Sequence, residues 1–156
     1  LIDTHGAYVI APRNVAKQLN VLFVDATKIT HDIETGMGIE GSRKLHMWFM
    51  PGENPQVPKG KKDNTHYNVY GARVVAGALA DAVAEQVPAL KSHVCHYDYV
   101  VSAEGRGNFM DLQKAVDAVP VGKKAVIRIL GGEWKKPIIA KGKKIKFVKS
   151  FGAKIK

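Results

Sequence analysis

The longest regular pattern of apolar positions predicts a helix over residues 69–87. Its members recur at the three- and four-residue spacing of one helical stripe, and Pro88 ends the pattern. The stripe consists of Val69, Ala72, Val75, Ala76, Leu79, Ala80, Val83 and Val87. Upstream, PRNVAKQLN (12–20) predicts a helix with Pro12 in its first turn. VLFVDAT (21–27) predicts a buried parallel strand.

Two segments between these elements are interrupted by glycine or proline. Residues 30–49 contain three glycines and predict broken helix and loop, and residues 51–64 contain three prolines and predict a long loop. Helix, strand, loop and helix form half of an α/β layer architecture. Because one strand cannot make a parallel sheet, we expect the other strands to be absent from this chain or supplied by something else.

The pattern changes after residue 98. YVVSAEGRGNF (99–109) begins like a strand and continues as a glycine-rich turn, and MDLQKAVDAV (110–119) predicts a short amphipathic helix. Short alternating strands follow, separated by turns such as GGEW and KGKK; they are AVIRIL (125–130), KIKFV (144–148) and AKIK (153–156). Strands without intervening helices indicate a second, β-rich domain, with a boundary near residues 92–98.

Charge is distributed unevenly along the 156 residues. Residues 1–120 hold 12 Lys/Arg and 13 Asp/Glu, whereas residues 121–156 hold 12 Lys/Arg and one acidic residue, Glu133. Such a segment favours polyanions, and an ordinary solvated lysine-rich surface is the alternative. With 46% apolar residues the chain has enough material for a core, and no apolar run approaches the roughly 18–20 residues of a membrane span. The single cysteine, Cys95, excludes an internal disulfide.

Asp63 and His66 stand three residues apart just before the 69–87 helix. At that spacing a carboxylate can accept a hydrogen bond from Nδ1 of an imidazole and leave Nε2 free to take a proton from a nucleophile. This would be the acid–base half of a serine hydrolase. The alternative is structural: Asp63 or Asn64 caps the helix, and His66 is a surface histidine beside it.

The residues around this pair favour catalysis. DNTHYNVYGARVVAGALADAV resembles the last conserved block of the SGNH (GDSL-type) hydrolases, and DTHGAYV (3–9) and VAKQLNVLFVDATKITHD extend the likeness to the rhamnogalacturonan acetylesterases over residues 1–92. The resemblance implies the C-terminal part of a flavodoxin-like α/β/α sandwich. It also implies hydrolysis of acetyl esters, with His66 as general base, Asp63 orienting it, and no metal or organic cofactor.

The nucleophile of that family has no counterpart in this sequence. No Gly-Asp-Ser block is present, and none of the four serines, Ser42, Ser92, Ser102 and Ser150, has that setting. A general base without a nucleophile or oxyanion hole has little to act on. We therefore expect the chain alone to be inactive and to be an internal segment of a longer protein.

Other candidate residues leave alternatives open. His46-Met47-Trp48-Phe49 would line a sugar-binding cleft or simply cover core, and GRGNF (105–109) lacks the remaining residues of a nucleotide-binding loop. The histidines His5, His31, His93 and His96 show no metal-ligand spacing.

A second resemblance covers residues 97–156. DYVVSAEGRGNFMDLQKAVDAVP, followed by AVIRILGGEW and KKIKFVKSFGAKI, is similar to the start of pectin methylesterases, in which a helix caps the first rungs of a right-handed parallel β-helix. No catalytic role follows for Asp98, Asp111 or Asp117, which precede the rungs.

Together the two resemblances imply a segment of a carbohydrate esterase that acts on pectin and is extracellular or periplasmic. The missing domain halves, or another chain, would then be needed for folding. The alternative is a non-catalytic piece that binds pectin or another acidic polymer through Lys143, Lys144, Lys146 and Lys149. Nucleic acid is a remote third partner, because the basic residues lack interleaved aromatic residues.

Overall fold

The computed structural model describes residues 4–54 and 56–156, so Asp3, which opens the DTHGAYV stretch, lies outside the described residues. The chain divides into two compact units, Leu1–Val94 and Cys95–Lys156. Together they are mixed α/β and contain parallel sheets. No helix in the described part of the chain is long and apolar enough to cross a membrane.

The helices of the first unit lie close to where the apolar pattern predicts them. A 3-10 turn, Gly6–Val9, leads into α1, Ile10–Leu19, which ends at Asn20 in the left-handed conformation (φ 50°). Helix α3, Val69–Gln86, begins at Asn68, whose side chain accepts a hydrogen bond from Gly71 N, and a 3-10 segment, Pro88–His93, follows it. The predicted helices over 12–20 and 69–87 are confirmed.

The predicted strand over residues 21–27 is wrong. Residues 21–25 form no regular element and belong to no sheet, and helix α2, Ala26–Arg43, begins directly after them. A strand requires a partner strand, and none of the described residues provides one. The side-chain amide of Gln86 takes that place: Phe23 N donates to its Oε1 (3.0 Å) and its Nε2 donates to Phe23 O (2.5 Å).

Part of the predicted long loop is a strand. Helix α2 is kinked at Gly38, in agreement with the predicted broken helix, and is followed by β1, His46–Phe49. Strand β2, Lys61–Tyr67, pairs with β1 in antiparallel fashion, so the loop ends at residue 60 rather than 64. The polar KKDNTH stretch forms a strand because β1 supplies its hydrogen-bonding partner, a long-range effect that its own composition does not reveal.

The apolar stripe of α3 is only partly buried, although its spacing is that of a stripe that packs against another layer. Val69 and Val83 are exposed, whereas Gly71, Val75 and Ala84 are buried. Gly71 touches the backbone of Leu45 so closely that a Cβ placed there would lie 2.0 Å from Leu45 O. The helix therefore uses one face inside its unit and exposes another apolar face.

The second unit is built from parallel strands. Strands β3 (Tyr99–Val101), β4 (Lys124–Ile129) and β6 (Lys144–Lys149) form one sheet in that order. The second sheet pairs β5 (Gly132–Trp134), which lies in the predicted GGEW turn, with β7 (Ala153–Ile155). Helix α4, Leu112–Ala118, lies within the predicted 110–119 and starts at Asp111, whose carboxylate caps Lys114 N. Its buried residues join those of the strands in one core; the cluster contains Val101, Leu112, Ala115, Val116, Val119, Ala125, Ile127, Ile129 and Trp134.

Candidate active site

Asp63 and His66 both lie on strand β2, Lys61–Tyr67, just before helix α3. Met47 on β1 faces Asp63 and the adjacent His46 faces Tyr67, so the register shifts between these two pairs. The extra residues 64–66 form a bulge in β2. This irregular stretch of strand, rather than a helix face, brings the two side chains together.

The carboxylate of Asp63 organises the bulge. Its Oδ1 accepts hydrogen bonds from Thr65 N (2.8 Å) and His66 N (2.9 Å). Its Oδ2 lies 2.9 Å from His66 Nδ1 and 3.0 Å from Lys61 Nζ. The helix-cap alternative for Asp63 and Asn64 is therefore wrong, because α3 is capped by Asn68.

These contacts keep Asp63 ionised and select the tautomer of the neutral His66 ring. Hydrogen bonds from the backbone of His66 and Thr65, followed by the Lys61 ammonium, hold the pKa of Asp63 well below its usual value. An ionised carboxylate can only accept, so Nδ1 of His66 carries the proton that it donates to Asp63. Nε2 of the neutral ring is then an acceptor, on a side chain that is 70% exposed. This arrangement is suited to general-base chemistry.

Lys61 also contacts the Asp63 carboxylate, although it is not part of the D-x-x-H motif. Its ammonium contacts the same carboxylate oxygen as His66 Nδ1, and it also approaches Met47 Sδ at 3.9 Å. Alternate residues of a strand share a face, so a strand assignment for KKDNTH would have placed Lys61 beside Asp63. The loop prediction concealed this neighbour.

A polar cluster anchors β2 immediately after His66. Tyr67 OH donates to Glu34 Oε1 at 2.7 Å, and His46 Nε2 lies 3.6 Å from the same oxygen. Burial, then the hydrogen bond to Glu34 and its negative charge, raise the pKa of Tyr67 to about 12. Asn68 completes the anchor, since its Nδ2 donates to Lys44 O and His46 O. Sequence spacing gives no signal for these contacts, because they join α2 to β1 and β2.

The proposed sugar-binding residues 46–49 separate into different environments. His46 is buried, and its Nδ1 lies 3.0 Å from Ser42 O, so it belongs to the core of the unit.

Trp48 is half-buried; Arg43 lies 4.5 Å and Lys62 5.8 Å from the centroid of its ring. Its indole N–H donates to Asn64 Oδ1 at 2.6 Å. Trp48 and Lys62 are paired in register, as are Met47 and Asp63, so Trp48 lies on the opposite face of the ladder from Asp63.

No serine hydroxyl is hydrogen-bonded to His66 within residues 4–54 and 56–156. Ser42 Oγ donates to Ile39 O, and the buried Ser102 Oγ accepts from Glu104 N. The same described residues contain no group of three or more His, Cys, Asp or Glu side chains that would hold a metal ion. Cys95 is exposed. The acid–base pair is thus present without a nucleophile beside it.

A comparison with known proteins gives one informative likeness. Rhamnogalacturonan acetylesterase RhgT of Bacillus subtilis (strain 168) is 37% identical over 103 residues, which is 66% of this chain and 42% of RhgT. No protein-family model matches the chain, and no solved structure matches it.

The likeness relates the matched residues of this chain to an SGNH-type acetylesterase. The chain spans less than half the length of RhgT.

Proposed function

We propose that the first unit is the C-terminal part of a serine esterase that removes acetyl groups from rhamnogalacturonan. The observation that carries this proposal is the 2.9 Å contact between His66 Nδ1 and Asp63 Oδ2 in a chain related to an acetylesterase. His66 Nε2 accepts the proton of a serine hydroxyl as its oxygen attacks the acetyl carbonyl, and returns that proton to the departing sugar hydroxyl. Water then hydrolyses the acyl-enzyme by the same route, and Asp63 holds the ring throughout.

The serine and the oxyanion hole come from sequence outside this chain. The 42% coverage of RhgT leaves ample length for them, and the sequence here contains no Gly-Asp-Ser block. The same outside segment supplies the rest of the α/β/α sandwich, whose sheet covers residues 21–25 and the exposed face of α3. On this proposal the 156-residue chain alone is inactive.

The second unit is the start of a right-handed parallel β-helix of the pectin methylesterase type, fused to the acetylesterase. Its strands support this proposal: β4 pairs with β6 and β5 pairs with β7, both in parallel, as in two successive coils of a β-helix. Helix α4 contributes Leu112, Ala115 and Val116 to the core of the same unit, as a capping helix would. Both esterases then act on pectin, which places the protein in the extracellular space or the periplasm.

Acetate release from acetylated rhamnogalacturonan tests the acetylesterase. We expect no release by the 156-residue chain, and release by the complete gene product that His66→Ala abolishes and Asp63→Asn lowers by several orders of magnitude. The matched control is His31→Ala, because His31 is an exposed histidine of α2 with no place in the site.

Three results would contradict the proposal. A complete gene without an upstream Gly-Asp-Ser block removes the nucleophile. Full activity of His66→Ala removes the base. Release by the 156-residue chain that disappears in His66→Ala keeps the acid–base pair but overturns the outside origin of the serine.

A further inference from the structure

The outward positions of strands β4 and β6 concentrate positive charge. Ala125, Ile127 and Ile129 of β4 are buried, so the alternate residues Lys124, Val126 and Arg128 face outward. The parallel register sets Lys124 beside Lys144 and Val126 beside Lys146. We define the basic face as Lys124, Arg128, Lys144 and Lys146.

The charges of the basic face are not neutralised within the unit. Among the described residues, no ion pair joins a residue of the basic face to an Asp or Glu; Arg106 pairs with Glu104 and Lys156 with Glu133. Asp98 is the nearest acidic position by register, and its Oδ2 accepts a hydrogen bond from Val126 N at 2.7 Å. Arg128 is held by Tyr97, whose ring centroid lies 5.1 Å from the guanidinium and whose hydroxyl accepts from it at 3.3 Å.

Pairing lysine beside lysine has a cost in free energy. Neighbouring strands are only about 4.8 Å apart, and like charges directly opposite each other destabilise a sheet. Lys124 and Lys144 occupy such positions. An anionic chain lying across the strands would remove this repulsion and gain ion contacts with both residues.

The sequence analysis named four candidate lysines for polymer binding. Two of them, Lys143 and Lys149, do not belong to the basic face. Lys143 Nζ donates to Val116 O (3.0 Å) and Asp117 O (2.9 Å), so it caps the C-terminal end of α4. Lys149 is exposed, but it is in register with the buried Ile129 at the end of β6, so it alternates away from the side of the ladder that carries Lys144 and Lys146. The register therefore selects Lys144 and Lys146 and adds Lys124 and Arg128.

We propose that the basic face is a docking surface for a polyuronate, a linear polysaccharide that carries one carboxylate per acidic sugar. The choice of polymer rests on the proposed action on pectin. It is also supported by the side chains present, because Tyr97, the aromatic residue beside this face, is already covered by Arg128 and offers no free platform for stacking bases. An extended carboxylate polymer needs no such platform.

Binding of polygalacturonate to the 156-residue chain tests the surface, measured by calorimetry at low and at physiological salt. We expect binding at low salt that weakens at least tenfold at physiological salt. The variant K124Q/K144Q/K146Q is expected to lose about tenfold in affinity, from three exposed ion contacts. The matched control K135Q/K136Q/K141Q removes the same number of charges from exposed positions outside the strands and is expected to change affinity less than about threefold.

Two further probes sharpen the result. Fully methyl-esterified polygalacturonate, which has the same backbone without charge, is expected not to bind, and poly(U) is expected to bind more weakly than polygalacturonate. Absence of binding at low salt, equal losses in the two triple variants, or preference for poly(U) would each overturn the proposal. Acetate release plays no part in these measurements, so the docking surface and the esterase can fail independently. Thermal unfolding of both triple variants checks that they remain folded.

Discussion

The two units differ in how completely they bury their apolar residues. The second unit, with 62 residues, encloses one continuous core in which Val101, Ala115, Val116, Ile127 and Ile129 are fully buried. In the larger first unit the buried apolar side chains among the described residues are Ala16, Leu45, Val75 and Ala84. Apolar residues of α1 and the 21–25 segment are exposed there, including Ile10, Leu19, Val21 and Leu22. A helix can thus form where its apolar pattern predicts it even though no layer among the described residues covers all of its apolar positions.

Both units use a helical glutamine to bind the backbone of a segment without regular secondary structure. Gln86 of α3 exchanges two hydrogen bonds with Phe23, and Gln113 of α4 does the same with Ile138, through Ile138 N (2.8 Å) and Ile138 O (3.0 Å). An amide side chain offers one donor and one acceptor, as a neighbouring strand does. One glutamine pairs with the backbone N–H and C=O of a single residue, however, whereas a neighbouring strand pairs with several residues. The glutamine therefore holds a segment in place without completing a sheet.

Substituting one valine in each unit should produce the largest contrast. Val116→Ala removes a fully buried side chain from α4, and we expect a loss of about 2–3 kcal/mol from two methyl groups and the cavity that they leave. Val69→Ala in α3 should change stability by less than about 0.5 kcal/mol, because Val69 is 45% exposed. Hydrogen exchange of the β4 amides for the first variant and of the α3 amides for the second gives both free energies.

Equal losses in these two variants would break the comparison. They would mean that the predicted α3 stripe is covered in solution, by a second copy or by other contacts. Dilution would separate these cases, since only a covering copy makes the cost depend on concentration.

The glutamine pairings should give a smaller effect. Gln86→Ala leaves Phe23 N and O without their partner, and we expect a loss of about 1 kcal/mol or slightly more, with faster exchange of the Phe23 amide. Gln113→Ala is the matched change in the second unit and should accelerate exchange of the Ile138 amide. An unchanged Phe23 amide in Gln86→Ala would show that another group pairs residues 21–25.

The sequence predicts the helices and the parallel strands better than it predicts their partners. Residues 69–86, 112–118, 124–129 and 144–149 have the predicted type because their periodicity is strong and local. Residues 21–27 have the composition of a strand, but a sheet depends on a partner distant in sequence, and none is described. The reverse holds for β2, whose polar sequence carries no strand pattern and which β1 nevertheless recruits.

The candidate site was predictable to a similar degree. The D-x-x-H spacing correctly indicated that Asp63 and His66 meet, although on a bulged strand instead of a helix. Lys61, Glu34 and Tyr67 were missed. Glu34 reaches Tyr67 across 33 residues of sequence, and no local pattern reports such a contact.

The smallest expected effect is on the free energy of unfolding at acidic pH, through Asp63. The pKa of Asp63 is depressed in the folded protein from its ordinary value of 3.8, so its ionised form contributes stability above that pH, and the contribution is lost as pH falls through the lower folded pKa. Asp63→Asn should therefore be less stable than the parent chain at pH 7 and pH 5, and the difference should shrink steadily below about pH 4 as the parent carboxylate protonates. Urea unfolding at a series of pH values measures this difference.

His66→Gln is the control, because it keeps the Thr65 and position-66 backbone N–H groups that Asp63 binds, and its difference from the parent should not follow that pH course. If the Asp63→Asn difference were constant from pH 7 to pH 2, the carboxylate would not be the group that organises the bulge, and the first unit would hold His66 in place by its β1, α2 and Asn68 contacts alone.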